Sequence, residues 1–336
     1  GAPRSLGAGS TAAAAAALAA DFPEPAFGDL LALGPHLFHS PPLLASACRL
    51  FSAVVAGNLE RARGGDAGAR AALVRADDLL ARALLPATSL CPANPATAAQ
   101  LWACLAPLPY ADRFRAFAAH RAATAASPLL SAAARLAVVE TRKILRRLHA
   151  PADRRDRRDA LAPFGRMLGK AAAGAPLAVV AAVVAQAEPY PNMIDPCVDA
   201  LRYAGPLALD CLTFVLIDRL ASSGRPKLKE DGVNIADWLA ALASLAGTLC
   251  RRYDGVDVRA LCQYVANTLK ESDPYDTLVL SELVATMAGI PPTPDLSEGQ
   301  VAALAGGPTL VEAALSLSTG SRAGGARARA RGAARL

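Results

Sequence analysis

Aromatic side chains are scarce here, at 5% of 336 residues, while alanine and leucine dominate a composition that is 53% apolar. A sandwich or barrel draws its core from aromatic and β-branched strands, so this balance argues for closely packed helices. No alternating strand pattern of useful length interrupts that reading. Catalytic signatures are missing as well: the chain has no Walker loop, no Gly-x-Ser-x-Gly elbow, no His-Glu-x-x-His and no dinucleotide fingerprint. The expectation is a non-enzyme without a cofactor.

Metal chemistry is equally short of candidates. The seven cysteines (Cys48, Cys91, Cys104, Cys197, Cys211, Cys250, Cys262) form no Cys-x-x-Cys pair. They sit mostly in apolar stretches, where a free thiol behaves as a small hydrophobe, and are expected buried and reduced, as in an intracellular compartment. His36 and His39 share a possible helical face, but no cysteine or acid lies at ligand spacing beside them. Two apolar runs imitate targeting or membrane segments. Thr11 to Ala20, after Arg4, lacks an initiator methionine and reads as alanine-rich low complexity. Ala171 to Ala187 is broken by Gly174 and Pro176 and falls short of a bilayer's thickness, so it reads as a buried helix, with no membrane partner.

The formal net charge of +6 invites a nucleic-acid reading, yet the segment 321–336 supplies five arginines (Arg322, Arg327, Arg329, Arg331, Arg335) and no acid. Without those five, 30 of the 35 basic residues face 29 acidic ones, a near balance. Asp153 to Asp159 alternates in sign and reads as a solvated loop or helix start. Asp77 and Asp78 are expected on a helix surface, pairing with nearby arginines.

Proline and glycine punctuate a succession of helices. Residues 1–40 mix polyalanine with Pro23, Pro25 and Pro35 and read as low-complexity and poorly ordered. Pro41-Pro42 opens an apolar run to about Gly57, Gly64-Gly65 precede a helix over Arg70 to Leu85, and Pro92 and Pro95 precede one through Trp102. Ser127 and Pro128 are an N-cap and first-turn pair for a helix to Leu148, whose basic end (Arg142, Lys143, Arg146, Arg147) suits the helix dipole. Further on, Asn234 and Asp237 have capping-box spacing, and Ile235, Trp238, Leu239, Leu242, Leu245 and Leu249 follow as one stripe, with Trp238 as its core anchor. Val258, Leu261, Cys262, Val265 and Leu269 form the next stripe, and Leu278, Val279, Leu283, Val284 and Met287 a third that ends at Gly289 before Pro291-Pro292. Tyr264 is expected in the core with Leu242, Leu261 and Met287, and Ser297 with Gln300 is another capping box. Helices of this length joined by short turns predict an all-α protein, an α-solenoid of antiparallel pairs.

One stretch carries more than periodicity. Tyr190-Pro-Asn-Met-Ile-Asp195, Val198-Asp-Ala-Leu-Arg-Tyr203, Leu209-Asp210, Trp238-Leu239, Leu242-Ala-Ser-Leu-Ala-Gly247, Arg252-Tyr253, Leu261-Cys-Gln-Tyr-Val-Ala-Asn267, Met287-Ala-Gly-Ile290 and Ala305-Gly-Gly307 follow one another in order. In that order and at those spacings they resemble the THO complex subunit 2 family, large scaffolds of a nuclear mRNA-export assembly. The resemblance is concentrated between Pro189 and Gly307. Weaker echoes precede it in Leu108-Pro-Tyr110 with Arg113 and Arg115, in Lys143 to Leu148, and in Arg166-Met-Leu-Gly-Lys170. The family's members are several times longer than this chain. The helix pattern gives a helical solenoid section over 41–188, and the resemblance implies a THO subunit 2-like helical domain over 189–318, HEAT-like and similar to the middle domain of the translation-initiation scaffold. The arginine-, glycine- and alanine-rich tail over 319–336 departs from the family, whose members continue with a charged helical segment, and reads as disordered. The resemblance implies a nuclear scaffold that docks other THO subunits and a DEAD-box RNA helicase, with mRNA as an indirect partner. The competing reading is direct, sequence-independent RNA binding through Arg251, Arg252, Lys227, Lys229 and the tail residues Arg322, Arg327, Arg329 and Arg331.

Overall fold

The computed structural model describes residues 21–148, 154–222, 224–271 and 273–290, and every named element in them is helical. One isolated bridge, between Leu228 and Ile235, is the sole strand-like pairing among them. The fold is all-α, in the α-solenoid class expected from the sequence. The segment at 21–40 departs from expectation. Prolines 23, 25 and 35 read as breakers, but they sit at helix starts, where a missing N–H costs nothing, and so open helix α1 (Glu24–Leu33) and a 3-10 turn (Gly34–His39). Residues 1–20, the Ser297–Gln300 box and the tail lie outside the described residues.

Helix α2 (Pro41–Arg63) runs past Gly57, because Asn58 closes its side chain onto the Val54 carbonyl at 2.8 Å and keeps the turn intact. This helix is long and apolar enough to cross a membrane. Its apolar side is spent inside the protein, with Phe51, Val54 and Val55 fully buried against α3 (Ala67–Leu79) and, later in the chain, α5. The carboxylate of Asp66 caps α3, accepting from the Gly68 and Ala69 amides at 2.9 and 3.2 Å. A π-helical stretch (Leu80–Leu84) joins α3 to α4 (Leu85–Leu90). Asn94 caps α5 (Pro95–Leu105) through the Ala96 amide, and Pro107 and Pro109 separate it from α6 (Tyr110–Ala126). Ser127 caps α7 (Pro128–Leu145) at the expected place, and the chain bends there by 104° between α6 and α7.

The apolar run 171–187 is two helices, as its Gly and Pro require: α8 (Arg154–Gly174), which contains Pro163, and α9 (Pro176–Ala187). Then come α10 (Ile194–Ala200), α11 (Pro206–Leu220), α12 (Asp237–Arg252), α13 (Val258–Lys270) and α14 (Thr277–Ala288). Gly289 ends α14 in the left-handed region at φ 72°, with the Ile290 amide donating to the Ala285 carbonyl at 2.8 Å.

The chain divides into two compact units. One comprises residues 1–147, 162–182 and 201–214, and the other 148–161, 183–200 and 215–336. In the first, α2, α3 and α5 pack together, α6 packs on α7, and Phe114, Phe117 and Phe214 form an edge-to-face cluster. In the second, the principal packing is α12 on α14, with α10 on α12 and α13 on α14. The stripe of α12 buries Leu239, Leu242, Leu245 and Leu249. On α13 the inner residues are Ala260, Leu261, Tyr264 and Val265, whereas Cys262 and Leu269 face outward, so the stripe predicted there is narrower than its sequence suggested. Five of the seven cysteines are buried free thiols, Cys91 is half-buried and Cys262 exposed.

Candidate interaction surface

The most buried ion pair among the described residues lies in the first unit. Arg113 on α6 reaches Asp210 on α11 with two N–H···O bonds, Nε to Oδ2 at 2.7 Å and Nη2 to Oδ1 at 2.8 Å, and its Nη1 donates to the Leu108 carbonyl at 2.7 Å. Arg113 is 8% exposed and Asp210 1%, and the guanidinium also lies 5.6 Å from the Trp102 ring centre. In the same unit, Gly169 on α8 passes so close to Tyr203 that a Cβ would sit 2.5 Å from the Tyr203 carbonyl oxygen. Leu108, Arg113, Gly169, Tyr203 and Asp210 all belong to the sequence runs that resemble the scaffold family.

The second unit repeats this pattern. Arg252 donates to Asp199 at 2.9 Å, and the Tyr253 hydroxyl donates to the Val198 carbonyl, which ties the end of α12 to α10. A Cβ on Gly247 would lie 2.8 Å from both the Glu282 carbonyl and the Thr286 hydroxyl, so the absence of a side chain lets α12 and α14 touch. Signature residues in both units are thus points where helices are held together.

Between α11 and α12 the backbone at 224–236 forms a braced loop. Lys227 donates to Asp273 at 2.6 Å and Asp276 at 2.7 Å, and the Tyr264 hydroxyl donates to Asp276 at 2.7 Å. Burial pulls the Lys227 pKa down, but its bonds to the two carboxylates outweigh this and the net shift is upward. The Tyr264 phenol is raised, first by burial and then by its bond to Asp276. Glu188 pairs with Arg219 at 2.6 Å and with Arg225, and Arg225 lies 4.3 Å from the Trp238 ring centre. The loop's tip is an Asp231 turn: the carboxylate accepts the Val233 and Asn234 amides and leaves Val233 81% exposed.

Trp238 corrects the sequence reading. Asn234 donates to Asp231 instead of capping a helix, and α12 starts only at Asp237. Trp238 therefore stands on the first turn, at the flank of a packed stripe that begins with Leu239. It is half-buried, with its indole N–H donating to the Pro226 carbonyl at 3.0 Å. Leu242, Leu261 and Met287 are fully buried, and Tyr264 is 9% exposed.

The basic residues proposed for RNA are mostly engaged. Arg252 holds Asp199, Lys227 holds Asp273 and Asp276, and Lys229 pairs with Asp237 at 2.7 Å. Arg251 is half-buried and has a partner of its own. Arg322, Arg327, Arg329 and Arg331 lie outside the described residues.

One pair invisible in the sequence has the look of catalytic chemistry: Ser89 Oγ lies 3.1 Å from His120 Nε2. A nucleophile and base need a third group to orient the imidazole and space for a substrate. His120 Nδ1 has no hydrogen-bond partner among the described residues, and the adjoining cavity of about 10 Å³ has room for one water. Burial lowers the His120 pKa to about 4. The pair is core packing between α4 and α6. On α3, Asp78 pairs with Arg82 at 3.1 Å, while burial, and then Asp112, raise Asp77 to about 6. Among the described residues no three His, Cys, Asp or Glu side chains are grouped to hold a metal.

A helical array whose distinctive polar residues and glycines fasten helix to helix is a protein of the α-solenoid class, built to present surface. The chain belongs to the THO complex subunit 2 family. A family model described as "THO complex subunit 2 N-terminus" matches residues 29–154, and one described as "Transcription- and export-related complex subunit" matches residues 168–243. The likeness thus reaches well upstream of Pro189, where the sequence reading had concentrated it. THO complex subunit 2 of Arabidopsis thaliana is 38% identical over 301 residues, 86% of this chain and 16% of the relative. The Homo sapiens protein is 31% identical over 284 residues (83% of this chain, 17% of the relative), and the Saccharomyces cerevisiae one 26% over 259 (77% and 15%). The chain spans about a sixth of the length of the curated relatives it matches.

Proposed function

We propose that this chain is a non-enzymatic scaffold section of a THO-type complex, acting in the nucleus to couple transcription to mRNA processing and export. Its helices would dock other THO subunits, and the 189–318 domain, HEAT-like and similar to the initiation scaffold's middle domain, would dock a DEAD-box RNA helicase. One observation carries the reading: residues in the runs that resemble the family, Arg113 with Asp210, Arg252 with Asp199, and Gly247, are consumed in helix-to-helix contacts and leave the outer faces for partners. Messenger RNA is then an indirect partner, because Lys227, Lys229 and Arg252, the candidate phosphate contacts of the second unit, already face carboxylates.

The test is an affinity purification of the tagged chain from nuclear extract, with and without ribonuclease. THO subunits and a DEAD-box helicase should be enriched equally in both arms. Enrichment that disappears with ribonuclease would transfer the function to direct RNA binding.

A further inference from the structure

Helix α7 has two apolar faces. Its inner face, Leu130, Thr141, Ile144 and Leu145, is buried. The outer face carries Leu129 at 50% exposure, Leu136 at 68% and Val139 at 47%, with Ala132 exposed among them. Positions 129, 132, 136 and 139 repeat at the three- and four-residue spacing of a helix-packing seam, over about 15 Å of axis. Beside this seam stand Arg135, Arg142 and Arg146, with Arg147 at its end, all exposed and none paired with a carboxylate among the described residues; Lys143 pairs with Glu140 at 2.7 Å. The helix dipole accounts for cations in the last turn. It does not account for Arg135 in mid-helix, nor for a leucine two-thirds in water.

We infer that the outer face of α7 is a docking site for an acidic amphipathic helix of a partner protein. Leucine-type side chains of that helix would cover Leu129, Ala132, Leu136 and Val139, and its flanking glutamates or aspartates would meet Arg135, Arg142 and Arg146. The apolar seam favours protein over RNA, since phosphates would use the arginines and leave the leucines wet. The arginines in turn select an acidic partner over a neutral one. The inference extends the scaffold reading to a different unit, and its test uses no THO component, so either can fail alone.

The probe is a fluorescent four-turn peptide with leucine at heptad a and d positions and glutamate at most others, compared with a permuted peptide of equal composition that has no stripe. Anisotropy titration of the full chain should give micromolar binding of the striped peptide and at least about tenfold weaker binding of the permuted one. Leu136→Asp should weaken the striped peptide about tenfold without lowering the melting temperature, and Arg142→Glu with Arg146→Glu should do the same and remove the salt dependence. Equal binding of the two peptides, or indifference to Leu136→Asp, overturns the proposal. So does displacement of the peptide by oligouridylate, which would make the face an RNA site. A lowered melting temperature for Leu136→Asp would show the face covered by this chain's own residues. A dimer dissolved by Leu136→Asp in light scattering would show it covered by a second copy, and each of these results rejects the partner helix.

Discussion

Replacing Asp210 with alanine would strip two hydrogen bonds from the Arg113 guanidinium, a cation 8% exposed beside the Leu108 carbonyl and the Trp102 face, and take away its carboxylate counter-ion. Breaking a buried pair in this way costs about 3–5 kcal/mol, most of it the penalty for an uncompensated charge. Arg113→Ala should cost a similar amount, because Asp210, 1% exposed, would lose both guanidinium bonds. Substituting both together, Arg113→Ala with Asp210→Ala, removes the stranded charge from the interior. The double variant should therefore be far more stable than additive single effects predict, with a coupling of at least about 2 kcal/mol. Urea unfolding followed by circular dichroism at 222 nm measures all four proteins. Single variants within about 0.5 kcal/mol of the parent, or strictly additive behaviour, would refute the claim that this pair pins α6 to α11.

Other expectations follow from the same geometry. Gly247→Ala gains helix propensity, about 1 kcal/mol, but forces α12 and α14 apart at the Glu282 carbonyl, which cannot rotate away; a net loss of about 1–2 kcal/mol is expected in equilibrium unfolding, and a gain would mean the helices do not touch there. Trp238→Ala should cost only about 1–2 kcal/mol, since it loses one hydrogen bond and the Arg225 stacking and leaves the core intact; a loss above about 4 kcal/mol in the same assay would return Trp238 to the core. His120 is held neutral, its pKa of about 4 lying below the ordinary value of 6.5, so the unfolded chain binds the proton first. Its contribution is complete above pH 6.5 and is lost as pH falls from there towards 4, by about 3 kcal/mol in all. His120→Leu should flatten that part of a stability-versus-pH curve relative to the parent, and parallel curves would count against a buried neutral imidazole.

The helices from α12 to α14 were legible because their starts, stripes and the Gly289 stop are local signals, each contained within a few turns. Trp238 misled for a physical reason. It has the right spacing for the α12 stripe but stands on its first turn at the stripe's flank, and periodicity does not reveal how far a packed partner reaches. Helix α1 was missed because a proline that breaks a helix interior is the same residue that opens one. The Arg113–Asp210 pair spans 97 residues and leaves no periodic trace. An arginine beside Phe114 and Phe117, and an aspartate within the apolar run Leu207 to Leu216, are the two anomalies that could have been matched. Ser89 with His120 carries even less signal, since both residue types are common on helices.

The central claim is that the helical array, and not the arginine-rich end, carries the protein's associations. Co-elution of the purified chain with the other THO subunits and a DEAD-box helicase on size exclusion, with and without residues 321–336, tests it most directly. The account predicts the same complex from both proteins. A complex that forms with the full chain and is lost on removing 321–336, while the circular dichroism spectrum is unchanged, would contradict it.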